Sequence, residues 1–171
     1  MSDQKHELNY RIRKITNVDQ PALEQLNRES WSGLITTHEL LEQRHGQINN
    51  QDWLEQITNA VATHLANPDV TTFVAELDDH RIIGYAAAQI SQQEPHDVGT
   101  VSYNAVAPDY RGQGVGTALI EHVMDYLKEK GARILTVVTV ESDEPARHIY
   151  ERLGFQELTS LIYFSKEVDQ A

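Results

Sequence analysis

A chain of 171 residues, 40% hydrophobic and 23% charged, is long enough to bury roughly 70% of its unfolded surface in one core and suits one domain rather than two. Fourteen Lys and Arg against 26 Asp and Glu leave a formal charge of -12, which argues against a nonspecific nucleic-acid binder and suits small cations such as amines, although many acidic surfaces are simply well solvated. The absence of cysteine excludes disulfides, thiol nucleophiles, iron–sulfur clusters and thiolate zinc sites. No stretch approaches the ~18 apolar residues of a membrane span, and Met1–Glu7 lacks the apolar core of a secretory signal. A cytoplasmic protein with no membrane partner is the expectation.

Leu8, Tyr10 and Ile12 alternate with polar neighbours and predict a first strand. Asp19 and Pro21 open a helix carrying Leu23, Leu26 and Trp31. A helical region follows from Thr37 to Ala66, broken near Gln47–Gln51, with Leu54, Ile57, Val61 and Leu65 on one face of its second half. From Thr71 the period switches to two, and Asp78-Asp79-His80 turns one strand into the next, which runs from Arg81 to Ile90. After a polar loop, Ser91–Asp97, a strand over Gly99–Val106 stops at Pro108. A helix follows from Val115 to Lys130, closed by Gly131. Ile134–Val140 reads as a strand buried on both sides, Glu144–Leu153 as a short helix, and Phe155–Phe164 as a last strand. The order β-α-α-β-β-β-α-β-α-β predicts a single-domain α/β (α+β) fold, with a mixed, mostly antiparallel sheet flanked by helices. The domain spans 8–166, with polar tails over 1–7 and 167–171.

The segment between the Gly99–Val106 strand and its helix concentrates the chemistry. Arg111-Gly112-Gln113-Gly114-Val115-Gly116 lets the backbone curl so that several N–H groups converge, and the helix adds its positive dipole end. Together these suit a phosphate or pyrophosphate, with Arg111 at the rim, beside the plainer reading of a helix that merely starts in a glycine turn. A P-loop is not matched, because Thr117-Ala118 follows Gly116 where Lys and Ser/Thr are required. The dinucleotide fingerprint fails too, with Thr at its third glycine and Ala132-Arg133 where an acid belongs.

This segment resembles the Gcn5-related N-acetyltransferases, whose pyrophosphate loop reads Gln/Arg-x-x-Gly-x-Gly/Ala. The likeness extends upstream to Asn104-Ala105-Val106-Ala107-Pro108-Asp109-Tyr110. Downstream it includes Ala146-Arg147-His148-Ile149-Tyr150-Glu151-Arg152-Leu153-Gly154-Phe155, one helix and one strand away. The resemblance implies acetyl-coenzyme A as cosubstrate and no metal. Asn104, Ala105 and Val106 would lie along the pantetheine arm, with a main-chain N–H near Val106 facing the thioester oxygen. Arg111, Gly112, Gln113, Gly114, Val115, Gly116 and Thr117 would wrap the diphosphate, and Tyr150 would protonate the leaving thiolate. The same Tyr150, read without the resemblance, is a core aromatic on a short helix.

Two positions depart from the family pattern. Asp143 stands where many members carry a cofactor-touching Asn, and reads first as a helix cap; Val138 replaces the base Glu of some members that acetylate protein N-termini. The base that must deprotonate the amine is not readable: Glu76, Glu94, His96 and Glu141 are candidates, each also an ordinary surface group. Trp31 and Trp53 fall in the helical region that covers the acceptor site by resemblance, though each also suits a core. His38-Glu39-Leu40-Leu41-Glu42 lacks the second His of a zinc-protease helix, and there is no Gly-x-Ser-x-Gly elbow. The expected activity is acetyl transfer from acetyl-coenzyme A to a primary amine of a small molecule or peptide. The alternative is a silent acyl-coenzyme A-binding module of the same fold. The apolar run Leu161-Ile162-Tyr163-Phe164 permits a homodimer.

Overall fold

In the computed structural model, described for residues 8–31, 36–48, 50–90 and 98–167, the sheet is built from neighbours in sequence. Strands β1 (Tyr10–Lys14), β2 (Val70–Leu77), β3 (Ile82–Ile90) and β4 (Val98–Val106) pair antiparallel in that order, and β5 (Ile134–Val137) joins β4 in parallel. The parallel step requires a crossover, supplied by α4 (Val115–Glu129). Helices α1 (Gln20–Trp31), α2 (Thr37–His45) and α3 (Trp53–Leu65) lie between β1 and β2, and α5 (Glu144–Arg152) follows β5. The expected break in the second helical region is real. Gly46 closes α2 at φ 79°, and Asp52 opens α3 by accepting the Glu55 N–H at 2.8 Å.

Because helices cover both faces, β2 and β3 are buried throughout their middles. On one face Phe73, Ala75, Ile83, Ala86 and Val101 pack on Val115, Leu119, Ile120, Val123 and Leu127 of α4, with Tyr150 of α5 beside them. On the other, Val74 and Tyr85 meet Leu23 and Leu26 of α1 and Ile57 and Val61 of α3. The five α4 side chains are at most 1% exposed, and burial is worth about 1.5–3 kcal/mol for each large one. That is ample to fix α4, and hence the loop that opens it. An ion network staples β1 to the sheet: Arg13 forks onto Asp19 at 2.7 and 2.8 Å and reaches Glu76 at 2.9 Å, which also takes Arg11 at 2.7 Å. No helix among the described residues is long and apolar enough to cross a membrane.

Two expected strands differ. Ile134–Val140 forms only the four-residue β5, with Ile134 57% and Val138 70% exposed, because β5 is the sheet edge rather than an interior strand. Phe155–Phe164 is neither strand nor helix; Leu158, Leu161, Ile162, Tyr163 and Phe164 stand 69–90% exposed. Strand propensity is expressed only where a ladder partner accepts the backbone, and this segment has none among the described residues. The loop 91–97 and most of both tails lie outside the described residues.

Candidate active site

The site begins as an irregularity in β4. Ala86 pairs with Asn104 and Ala88 with Val101, so Ala87 faces two residues, Ser102 and Tyr103. Such a bulge bends the strand that carries it. The β4–β5 ladder ends at this point, its last rung being Val101 opposite Val137, whereas β4 continues to Val106 alongside β3. Beyond Val101 β4 has no β5 partner among the described residues, which leaves a slot along that edge of its last residues. The Ala107 N–H donates to Ile83 O at 2.9 Å, which sets the antiparallel alternation: Ala105 turns its main chain to β3, while Asn104 and Val106 turn theirs into the slot. An extended ligand there meets a strand edge ready to pair.

At the open end of the slot, Pro108–Tyr110 makes a 3-10 turn and the chain enters the glycine loop. Gly112 at φ 71° and Gly114 at φ 87° occupy the left-handed region that L side chains resist. A Cβ built on either would meet no atom within 4 Å, so the space beside both glycines is open. Gly114 precedes α4 without a side-chain cap, and the first-turn N–H groups of Val115, Gly116 and Thr117 have no intrahelical acceptor. With the helix dipole behind them, these amides fit a diphosphate. Gln113 braces the loop from within, its Nε2 donating to Asp109 O at 3.0 Å.

Arg111 is oriented otherwise than a rim cation. Its Nε donates to Val106 O at 3.1 Å and its Nη2 to Ser30 O at 2.8 Å, tying the end of β4 to the last turn of α1. Tyr150, 7% exposed, approaches the slot from α5, and its Oη accepts a hydrogen bond from Asn104 Nδ2 at 3.1 Å. Burial, reinforced by the charge of Asp143 and opposed by the Asn104 hydrogen bond, raises the phenol above its ordinary pKa and keeps its proton on at neutral pH. Asp143 caps α5, accepting the Ala146 N–H and the Thr139 hydroxyl, each at 3.2 Å.

The candidate bases separate clearly. Glu76 is 4% exposed on β2, two strands from the slot. Hydrogen bonds from Arg13, Arg11 and His80 hold its carboxyl at about 2, where it is a poor proton acceptor. Glu141 is exposed beyond β5, and Glu94 and His96 lie outside the described residues. Sequence reasoning missed a pair on the other face of β4: His64, in the last turn of α3, sets Nε2 2.9 Å from Ser102 Oγ. Its ring meets Tyr103 edge-on with centroids 5.1 Å apart, and Tyr103 meets Trp31 at 6.3 Å. The pair joins residues 38 positions apart, and nothing in the local sequence announces their meeting or the bulge beside it. Trp53 packs into the α1–α3 cluster. A concavity of about 380 Å³ lined by Leu40, Leu41, Arg44 and Tyr163 lies between α2 and the C-terminal segment, away from these groups.

Sheet, slot and amide loop together define an acetyltransferase-like α/β domain. The chain matches the Acetyltransferase (GNAT) family over residues 22–155, and it belongs to that family. Streptothricin acetyltransferase of Streptomyces lavendulae is 37% identical over 87 residues, covering 51% of this chain and 45% of that protein. The [ribosomal protein bS18]-alanine N-acetyltransferase of Escherichia coli K12 is 41% identical over 76 residues, covering 44% and 51%. The chain thus spans about half the length of the curated relatives it matches. Aminoglycoside N-acetyltransferase AAC(6')-Iy, solved in complex with CoA, shares the fold with a TM-score of 0.66 at 20% identity, covering 94% of this chain and 96% of that one.

Proposed function

We propose that the protein is a cytoplasmic N-acetyltransferase that moves an acetyl group from acetyl-coenzyme A to a primary amine by direct attack within a ternary complex. The observation that carries this reading is the slot, whose strand edge leads into six loop and helix-start residues, Gly112–Thr117, with open space beside Gly112 and Gly114. In this reading the outward main-chain groups of Asn104 and the N–H of Val106 pair with the pantetheine arm, the Val106 carbonyl being held by Arg111. The first-turn amides of α4 hold the diphosphate, and a slot-facing N–H polarises the thioester carbonyl. A preset donor of that kind lowers the barrier by about 2.7–4 kcal/mol. Tyr150 gives its proton to the departing sulfur.

Relatives named for streptothricin, for aminoglycosides and for ribosomal protein bS18 alanine support an acceptor amine on a small molecule or a peptide. The charge of -12 favours a cationic acceptor over nucleic acid. The exposed apolar segment Leu158–Phe164 and the open β5 edge support a homodimer in which one copy's segment lies along the other's sheet. Sedimentation of the full chain against a chain ending at Gln156 tests it: a dimer that becomes a monomer supports the pairing, and a monomeric full chain refutes it.

The activity is tested by thermal melting and by thiol release. Acetyl-coenzyme A at ~100 times its dissociation constant stabilises by roughly 2.7 kcal/mol, a visible rise in midpoint. Free-thiol release is then followed with spermidine, sisomicin and an alanine-initiated peptide. A midpoint unmoved by millimolar acetyl-coenzyme A removes the cosubstrate, and a raised midpoint with no thiol release from any amine leaves a binding module.

A further inference from the structure

We infer that His64, acting through the hydroxyl of Ser102, is the group that takes the proton from the incoming amine. The inference rests on the acetyl-transfer reading above, which leaves the base unassigned. An alkyl ammonium with a pKa near 10.4 is almost wholly protonated at neutral pH, so attack requires a nearby acceptor. Ser102 is the first β4 residue beyond the last rung shared with β5, and therefore stands where the slot closes. Asn104 reaches the Tyr150 hydroxyl on the α5 side of β4. Ser102 and Tyr103 address α3 and the Trp31 end of α1 on the opposite side. The proton donor for sulfur and the proton acceptor for nitrogen would thus flank the thioester from opposite faces of one strand.

His64 is held for this work. Its Nε2 lies 2.9 Å from Ser102 Oγ, which is itself 3.4 Å from Ala87 O, and its ring is steadied by the Tyr103 edge. Tyr103 is the titratable group that faces it from β4, and among the described residues no carboxylate pairs with it. Half-burial pulls the imidazole below its ordinary pKa, so it is neutral and able to accept at pH 7.

The protons balance. The ammonium gives a proton to Ser102 Oγ as the Ser102 hydroxyl proton passes to Nε2. The freed nitrogen pair forms the C–N bond while the carbonyl π pair moves to oxygen. As the carbonyl re-forms, the C–S bond breaks, its pair goes to sulfur, and sulfur takes the Tyr150 proton. The surplus proton on nitrogen returns Tyr150 to its neutral form through water, and His64 releases its proton to solvent, one net proton per turnover.

The test is the pH dependence of kcat/KM for the wild type, His64→Gln, His64→Ala and Ser102→Ala, using whichever of spermidine, sisomicin and the alanine-initiated peptide is acetylated fastest. The wild type should show an acid limb below the ordinary histidine value. His64→Gln should lose ~100-fold or more at pH 7, with that limb gone and the KM for acetyl-coenzyme A unchanged. Added imidazole should restore part of the rate to His64→Ala, which loss of mere packing would not allow. If the His64 variants do not fold, Ser102→Ala carries the test, with a rate at least tenfold down expected. His64→Gln within about threefold of the wild type, or an unaltered limb, overturns the inference while leaving acetyl transfer intact. A wild type that binds acetyl-coenzyme A yet acetylates none of the three amines overturns both.

Discussion

Replacing Gly114 by alanine isolates the work of the amide loop, because the same helix supplies its own control. Gly114 at φ 87° opens α4, and Gly131 at φ 95° follows its end. A Cβ at either position meets nothing within 4 Å, so an alanine at each costs backbone strain and no collision. A left-handed L residue is penalised by about 1–2 kcal/mol. For a domain of this size that lowers the melting midpoint by about 2–8 °C in both variants. The two should part company in ligand binding. If the loop escapes its strain by turning the Gly114 amide away, coenzyme A must restore it, and 1–2 kcal/mol corresponds to affinity weakened by about 5–30-fold. Gly131→Ala should bind coenzyme A as the wild type does. Calorimetric titration with coenzyme A, alongside melting of the free proteins, measures both. Equal affinity in all three proteins, or equal loss in the two variants, would refute a diphosphate held by the start of α4.

Tyr150→Phe keeps the ring between Phe155 and the α4 face and removes only the hydroxyl; thiol release should fall by about 10²–10⁴-fold with little change in acetyl-coenzyme A binding, and an undiminished rate would rule out Tyr150 as the acid. Asp19→Asn breaks the fork with Arg13 and should cost roughly 3 kcal/mol in urea unfolding, the low end for a buried pair because Arg13 stays a quarter exposed. The Arg13 hydrogen bonds hold Asp19, and with Arg11 and His80 also Glu76, well below their unfolded pKa values. Their stabilisation is therefore complete only above about pH 5, the unfolded values being 3.8 and 4.5, and declines progressively as acid approaches pH 2. A wild-type midpoint that is flat from pH 4.5 to 2.5 would contradict this. Leu119→Ala, at a position with no exposure, should cost about 2–5 kcal/mol by leaving a cavity under β3, measured by the same unfolding.

What the sequence disclosed tracks how local each cause is. Gly112 and Gly114 stand where positive φ is required, so a loop of amides can be read directly from two letters. The α4 face and the alternation along β1 and β2 are equally local. The exposure of Ile134 and Val138 was hidden because an apolar, β-branched run states only that a strand is favoured; which neighbour covers it depends on the rest of the chain. Phe155–Phe164 failed for the same reason, having the side chains of a strand but no ladder to join. Arg111 looked like a ligand cation, yet the carbonyls of Ser30 and Val106 come within its reach only after α1 has packed on the sheet. His64 and Ser102, 38 positions apart, meet only once α3 has packed against β4.

Arg111 also has a mechanical meaning. One guanidinium grips two carbonyls, one at the exit of β4 and the other in the final turn of α1. The end of β4, which leads into the glycine loop, and the last turn of α1 are thereby bolted to a shared bracket, so neither can shift without dragging its counterpart. A neutral side chain at position 111 would loosen both together, and under the proposed acetyl transfer the acceptor side and the carrier side would lose their common frame.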